Sequence, residues 1–135
     1  DQKVKLRVAS KPLATLKARI RRSTRRTGGR SMTQVIEELR EYLPGWLNYY
    51  SLAETPTPLA DLDKWIRHRL RSLYLKQWKR GPTAYRRLRA YGASPRVAAT
   101  VAANLRYRWK TSRHALNVAL PNSHFDALGL PRLGP

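Results

Sequence analysis

The sequence predicts an all-α protein: a helical bundle of about six to seven helices in two subdomains, with a short extended N-terminal segment. Most of the chain repeats apolar residues at spacings of three and four, the period of an amphipathic helix. Glycine and proline separate these stretches, and only one short stretch alternates as a strand would. The length of 135 residues, 41% of them hydrophobic, suits one domain or two small subdomains with modest cores.

The N-terminal region divides into an extended segment and a basic helix. Residues 1–9 alternate charged and apolar side chains, which favours an extended conformation. A helix is predicted over 12–26, with Ser10 as its N-cap. Gly28 and Gly29 should end it, because glycine adopts the left-handed cap conformation without steric cost. Its buried face should carry Leu13, Leu16 and Ile20.

The second helix begins with a capping signal and meets a proline. Ser31 is followed three residues later by Gln34, the spacing of a capping box, and apolar residues continue at helical spacing. Pro44 and Gly45 should break or kink this helix, because proline lacks the backbone N–H that the helix needs. The segment 46–50 is then predicted as a short helical piece across the bend.

A proline-punctuated stretch divides the chain. It predicts a linker over 53–58 between an N-terminal helical subdomain, 1–52, and a C-terminal helical subdomain, 59–135. Proline in a first turn and serine caps mark the helices that follow. These helices are predicted over 58–79, over 81–90, from Ser94 onward, over 112–120 and over 122–128.

The charge balance is the strongest functional signal. There are 28 lysines and arginines against 8 acids, a formal net charge of +20. Such a chain repels itself until a polyanion neutralises it, so nucleic acid is the expected partner, ahead of an anionic membrane and an acidic protein. No apolar run approaches the roughly 20 residues of a spanning helix, and no signal-peptide pattern opens the chain. We therefore expect a soluble, cytoplasmic protein without a membrane partner.

The residue types argue against catalysis and cofactors. The absence of cysteine excludes disulfides and cysteine-ligated zinc. His68, His114 and His124 lack metal-ligand spacing, and no acid lies one helical turn away to orient a general base. Asp61 and Asp63 lie two residues apart, on nearly opposite faces of a helix, so they cannot jointly hold Mg²⁺. The sequence predicts no catalytic residue, no metal site and no cofactor.

The basic helices are the candidate binding surface. Arginine outnumbers lysine, which favours bidentate grips on phosphate and stacking on exposed bases. A basic helix face can either contact phosphate or simply face water, and the high net charge favours contact with phosphate. The predicted nucleic-acid-binding residues are Lys17, Arg21, Arg22, Arg25, Arg26, Arg67, Arg69, Arg71, Lys76, Lys79, Arg80, Arg86, Arg87, Arg106, Arg108, Lys110 and Arg113.

The aromatic residues have two possible roles. Those of the segment 46–50 lie at the predicted bend, where core packing is favoured over base stacking. Trp65, Trp78 and Trp109 lie among cations, where an indole could either close the edge of the core or support a nucleotide. The sequence leaves this second choice open.

Three runs resemble one known family. "LREYLPGWLNYYSL", "LDKWIRHRLRSLYLKQWKR" and "RYRWKTSRHALNVALPNSHFDALGLPRL" are similar to the C-terminal part of bacterial group II intron reverse transcriptase/maturases, the maturase-specific region also called thumb or domain X. The likeness spans nearly the whole chain and is most specific from residue 31 onward. The matching positions are Gly45, Trp46, Asn48, Tyr49, Arg69, Lys76, Trp78, Lys79, Trp109, Ser112, Asn122, Leu128, Gly129 and Leu130.

The resemblance implies an RNA-binding maturase region. Such a region would bind group II intron RNA and stabilise its splicing-competent fold, and it would contact the template-primer and the rest of the parent reverse transcriptase. The polymerase motif of that family does not occur in this sequence, so we expect no enzymatic activity from this chain. By the resemblance, the structural motif comprises Gly45, Trp46, Asn48, Tyr49, Trp78 and Trp109, with the glycine-tryptophan element as a hinge.

Two other classes fit the composition. A helical DNA-binding module of a recombinase or regulator would place one recognition helix in a major groove, but no short-turn helix pair with a polar reading face occurs. A structural protein that packs RNA would bind unrelated folded RNA as well as an intron.

Overall fold

All secondary structure in the described residues is helical. The computed structural model describes residues 2–25, 30–51, 57–107 and 115–133. Within these ranges there are seven α-helices, one 3₁₀ helix and no strand, which confirms the predicted all-α class. The elements are α1 (Gln2–Ser23), α2 (Met32–Ser51), α3 (Thr57–Trp78), α4 (Gly81–Ala90), α5 (Pro95–Ala103), η1 (Leu105–Tyr107), α6 (Ala115–Ala119) and α7 (Asn122–Ala127).

The prediction of an extended N-terminal segment is wrong. Helix α1 begins at Gln2, ten residues before the predicted start, and it includes Pro12. Val4 and Val8 fit an alternating pattern, but their spacing of four fits a helix equally well. The lysine, leucine and arginine between them and the alanine that follows favour helix, and this propensity outweighs the single hydrogen-bond donor that proline removes.

Helix α1 ends before the predicted glycines. Its last residue is Ser23, and the Thr24 backbone N–H donates to the Ile20 carbonyl at 3.0 Å. The Thr24 hydroxyl donates to the same carbonyl at 2.8 Å. Two donors therefore occupy one of the carbonyls that a helix end leaves unpaired. The predicted stop at Gly28 and Gly29 lies outside the described residues.

The capping box of α2 is confirmed, but the break at Pro44 is not. The Ser31 N–H donates to the Gln34 side-chain oxygen at 2.9 Å, and the Gln34 N–H donates to the Ser31 hydroxyl at 3.2 Å. Pro44 lies inside a helix that continues to Ser51. Leu39 and Leu43, in the turns before Pro44, are fully buried. The burial of each contributes about 1.5–3 kcal/mol, which together offsets the roughly 3 kcal/mol that an interior proline costs.

The residues form two units by their contacts, residues 1–66 with 129–135 and residues 67–128. The predicted subdomain boundaries stay a prediction, since most of the predicted linker lies in 52–56, outside the described residues. In the first unit, α1 packs on α2. Its buried apolar residues are Leu16, Ile20, Met32, Val35, Ile36, Leu39, Leu43, Leu59, Leu62, Ile66, Leu130 and Leu133.

In the second unit, α5 contacts both α4 and α6. A Cβ at Gly81 would lie 3.1 Å from the Ala102 carbonyl oxygen, so glycine allows the start of α4 to approach the end of α5 closely. Ser94 caps α5 as predicted, because its hydroxyl accepts from the Val97 N–H at 3.2 Å. The core includes Leu70, Leu73, Leu75, Ala84, Leu88, Ala98, Val101, Leu116, Leu120 and Phe125.

The length and hydropathy of each helix decide whether it could cross a membrane. Within the described residues, no helix is both long and apolar enough to cross a membrane.

The environment of Gly45 predicts a stabilising substitution. Gly45 is exposed inside α2, and a Cβ there would meet nothing within 4 Å. We expect Gly45→Ala to raise the free energy of unfolding by about 0.5–1 kcal/mol, because alanine loses less backbone entropy than glycine in a helix. Denaturant unfolding checks this.

Gly129→Ala is the matched control for that experiment. Gly129 has φ of 97°, and a Cβ there would lie 3.1 Å from Nη1 of Arg40. The same substitution should therefore destabilise the protein by about 1 kcal/mol or more. Destabilisation by Gly45→Ala as well would show that the helix around Pro44 is strained.

Candidate nucleic-acid interface

One row of cations runs along α1. Lys17 and Arg21 are spaced by four residues and share one side of α1, and Arg25, two residues beyond the end of the helix, continues this spacing along the chain. The Lys17 ammonium lies 5.6 Å from the centroid of the Trp65 ring, and the Arg21 guanidinium lies 5.4 Å from it. Both are within the range of a cation–π interaction. The half-buried indole of Trp65 therefore supports two of the predicted RNA-binding cations.

A second row lies on the other side of the buried face of α1. Arg19 and Arg22 are both exposed, and the Arg19 guanidinium lies 4.4 Å from the centroid of the Tyr42 ring. Together with Ser23, Arg30 and Glu38, these arginines line a cavity of about 400 Å³. Arg26, which the helical period would place in the same row, lies outside the described residues.

Sequence reasoning missed two cations of this cavity, Arg19 and Arg30. The spacing of three between Arg19 and Arg22 could have indicated that they are neighbours on α1. Arg30 follows a glycine pair and carries no helical period, so its position depends on the packing of α1 against α2.

Two predicted RNA-binding residues lie in the core of the second unit. Arg67 is 1% exposed; its guanidinium donates to the Asn122 carbonyl and to the Asp126 carboxylate, both at 3.1 Å. Arg71 is 6% exposed; its Nε donates to the Leu120 carbonyl at 2.7 Å and its Nη2 to the Asn122 side chain at 3.0 Å. Both arginines of α3 thus hold α7 and the residues before it. Their contact with RNA stays a prediction.

Burial and repulsion act on Arg71. Burial, and after it the charge of Arg67, lower the pKa of Arg71 to about 10. The Arg71 guanidinium lies 5.3 Å from the centroid of the Phe125 ring. Since this pKa is well above neutral pH, the Arg71 guanidinium remains charged, and its hydrogen bonds are charge-assisted.

The other predicted cations differ in exposure. Arg69 and Lys76 are half-buried and have partners within the chain. Lys79 is exposed and has φ of 63°, a left-handed conformation that is costly for a residue with a Cβ. The remaining exposed cations of the predicted set are Arg80, Arg86, Arg87 and Arg106. Arg108, Lys110 and Arg113 lie outside the described residues.

An aromatic cluster packs around Tyr74. The Tyr74 ring stacks on Trp78 with centroids 5.1 Å apart, and Trp78 is 8% exposed. Tyr91 is 43% exposed, and its ring lies 4.7 Å from that of His124 in an edge-on arrangement. Trp78 therefore closes the edge of the core, whereas Tyr91 presents ring surface to solvent.

His124 is held neutral inside this cluster. Burial, and after it the charge of Arg71, lower its pKa, and its Nε2 lies 2.7 Å from the Tyr74 hydroxyl. Burial, and after it Tyr91, raise the pKa of Tyr74. A protonated phenol therefore lies beside a neutral imidazole, and the tautomer of the imidazole decides which of the two groups donates.

The remaining motif residues lie on or near α2. Trp46 is half-buried, and Gly45 and Asn48 are exposed. The side chain of Tyr49 and all of Trp109 lie outside the described residues. Among the described residues, no group of histidine, aspartate and glutamate side chains could hold a metal ion.

A helical domain with cations on exposed faces and aromatic rings beneath some of them has the features of a nucleic-acid-binding domain. The chain belongs to the family described as "Group II intron, maturase-specific domain", whose sequence model matches residues 13–92. This confirms the resemblance and gives the chain a maturase-related role. The match includes the second half of α1 and all of α2, α3 and α4; the likeness of the segment 109–130 stays a prediction. A search of curated proteins finds no match.

The buried arginines predict a contrast between two substitutions. Arg67→Met should lower the free energy of unfolding by about 1–3 kcal/mol, because it removes the donor to the Asn122 carbonyl and one donor to the Asp126 carboxylate. Arg87→Met removes one exposed cation and should change stability by about 0.5 kcal/mol or less. Equal melting temperatures for the two variants would contradict the structural role of Arg67.

The neutral state of His124 predicts a pH dependence of stability. Its pKa is lower in the folded chain than in the unfolded one, so the unfolded state binds more protons at acidic pH. The contribution of His124 is complete above its ordinary pKa of about 6.5 and is lost as the pH falls through its folded-state pKa.

His124→Gln should flatten this dependence, because a glutamine oxygen can accept from Tyr74 but does not titrate. Denaturant unfolding at neutral and mildly acidic pH measures the slope for both proteins. An unchanged slope in the variant would assign the acid sensitivity to another group.

Proposed function

We propose that this chain is an RNA-binding maturase region that binds group II intron RNA and stabilises its splicing-competent fold. The observation that carries the proposal is the family match over residues 13–92, the part of the chain that contains the basic helices α1, α3 and α4. In a parent reverse transcriptase, the same surfaces would contact the template-primer and the neighbouring domains. The splicing chemistry would belong to the RNA.

The charge balance supports a phosphate-dominated interaction. Even if each of the 8 acids neutralised one cation, a formal charge of +20 would remain. Contacts between these cations and phosphates release counterions from the RNA, which gives an affinity that falls steeply with salt. The exposed cations on α1 and α4 are suited to this role.

The side chains of the surface favour recognition of RNA shape. Among the described residues, the large exposed apolar side chains are Tyr91 and Val118. Sequence-specific reading of RNA commonly uses several aromatic platforms for unstacked bases, whereas folded RNA is recognised through its backbone and shape. A surface rich in arginine and poor in exposed rings supports the second mode.

A competition experiment tests the proposal. The chain is titrated with a folded group II intron RNA, a duplex DNA of equal length and an unrelated folded RNA, each at two salt concentrations. We expect a preference for the intron RNA that persists at the higher salt. A preference for duplex DNA would favour the recombinase or regulator class. Equal binding to both RNAs that disappears with salt would favour a protein that packs RNA without specificity.

Lys79 predicts a conflict between stability and binding. Glycine is the residue that best tolerates its left-handed conformation, so Lys79→Gly should raise the free energy of unfolding by about 1 kcal/mol. The same variant should bind intron RNA more weakly, with a salt slope smaller by about 0.7–0.9 if one phosphate contact is lost.

Lys79→Asn is the control for this prediction. Asparagine tolerates the left-handed conformation but has no charge, so it should reduce the salt slope as glycine does. Lys79→Arg keeps the charge and should keep the slope. A stabilised Lys79→Gly variant with unchanged RNA affinity would remove Lys79 from the interface.

A further inference from the structure

The cavity between α1 and α2 has the composition of an anion site. Its lining residues are Arg19, Arg22, Ser23, Arg30 and Glu38, and its volume is about 400 Å³. Three arginines and one glutamate give the lining a formal charge of +2. Volumes of roughly 300–1,000 Å³ are typical of pockets that enclose a small ligand or a part of a larger one.

The one acid of the cavity is already engaged. One oxygen of Glu38 accepts from the Ser23 hydroxyl at 2.8 Å, and the other pairs with Nη1 of Arg30. The Nη2 of Arg30 donates to the Ser23 carbonyl at 2.8 Å. These contacts fix Glu38 and Arg30 in place, so the positive charge of Arg19 and Arg22 is not cancelled by a mobile carboxylate.

Arg19 is positioned by an aromatic ring. Its guanidinium lies 4.4 Å from the centroid of the Tyr42 ring. A guanidinium that stacks by its face keeps its N–H groups in the plane of the fork, where they can bind two oxygens of one anion. The order imposed by Tyr42 lowers the entropy that Arg19 loses when it binds a ligand.

We propose that this cavity binds a single backbone phosphate of structured RNA, through Arg19 and Arg22. The inference rests on the proposed function and adds to it a discrete site, distinct from the open row of Lys17, Arg21 and Arg25. Among the described residues, the lining has no aromatic side chain on which a base could stack, which favours a phosphate group as the ligand. A concave site suits a phosphate that protrudes where a strand bends.

The first experiment compares two double variants of equal charge. Arg19→Gln with Arg22→Gln removes the two exposed arginines of the cavity. Arg21→Gln with Arg25→Gln removes two cations that lie outside the cavity, one in α1 and one just after it. All four residues are exposed, so both variants should fold, and circular dichroism verifies this. Inorganic phosphate, titrated at constant ionic strength, is the small probe. We expect saturable binding by the natural chain and the control variant, and its loss in the cavity variant.

The second experiment uses intron RNA in which single linkages are replaced by neutral methylphosphonates. At one linkage, the replacement should weaken binding to the natural chain and to the control variant but leave the cavity variant unaffected. For the natural chain, the salt slope measured with unmodified RNA should exceed the salt slope measured with this modified RNA by about 0.7–0.9.

The outcomes separate the two claims. If the natural chain shows no preference for intron RNA, the proposed function fails. The natural chain could show that preference while no single replaced linkage affects it differently from the cavity variant. In that case the proposed phosphate site is wrong, and the proposed function still stands. Inorganic phosphate could bind saturably while the loss of the two cavity arginines leaves RNA binding unchanged. The cavity would then be a site for free phosphate, and the proposal that it binds an RNA phosphate would be wrong.

Tyr42 provides a further test of positioning. Tyr42→Phe keeps the ring beneath Arg19 and should keep phosphate affinity, whereas Tyr42→Leu removes the ring and should weaken it. The buried Tyr42 hydroxyl lies near Ser23 but makes no hydrogen bond of good geometry within the described residues, so the phenylalanine variant should retain the fold. Equal phosphate affinity in the two variants would show that the ring does not position Arg19.

Discussion

The hydrogen bonds of Arg67 and Arg71 are the constraint on which the second unit depends. Two buried cations can be tolerated only when their donors are satisfied, and here the acceptors come from Leu120, Asn122 and Asp126. These acceptors lie at and just before α7, a helix of six residues that would not be stable alone. The arginines therefore hold this segment together with the buried side chains of Leu120 and Phe125, and His124 is positioned with it.

The same residue type serves two purposes, and local sequence does not distinguish them. Arg67 and Arg71 occur in a run that is as basic as the exposed rows of α1, so composition predicted both as surface cations. Their acceptors lie about fifty residues further along the chain. A pattern read over one or two helical turns contains no information about such partners. The features that were predicted correctly, the Ser31–Gln34 capping box and the Ser94 cap, depend on residues three apart.

The errors at the N-terminus and at Pro44 have a common cause. In each case one local signal, an alternating pattern or a proline, competed with the helix preference of its neighbours. The penalty at Pro44 is limited to one missing donor, whereas buried leucines in the preceding turns stabilise the helix over a longer stretch. A single proline or a short alternating pattern decides where a helix ends when apolar packing is weak. Where packing is strong, the buried side chains stabilise the helix more than the local signal destabilises it.

The packing of α1 also explains how the exposed cations become organised. The buried face of the helix directs one cationic row toward Trp65 and the other toward Tyr42. A long basic side chain in water loses much rotamer freedom when it binds phosphate, and a ring beneath it reduces that loss. Under the proposed function, these aromatic residues would contribute to binding without touching the ligand. They hold cations in the positions where an anion would meet them, and so they relate the apolar core to the proposed contact with RNA.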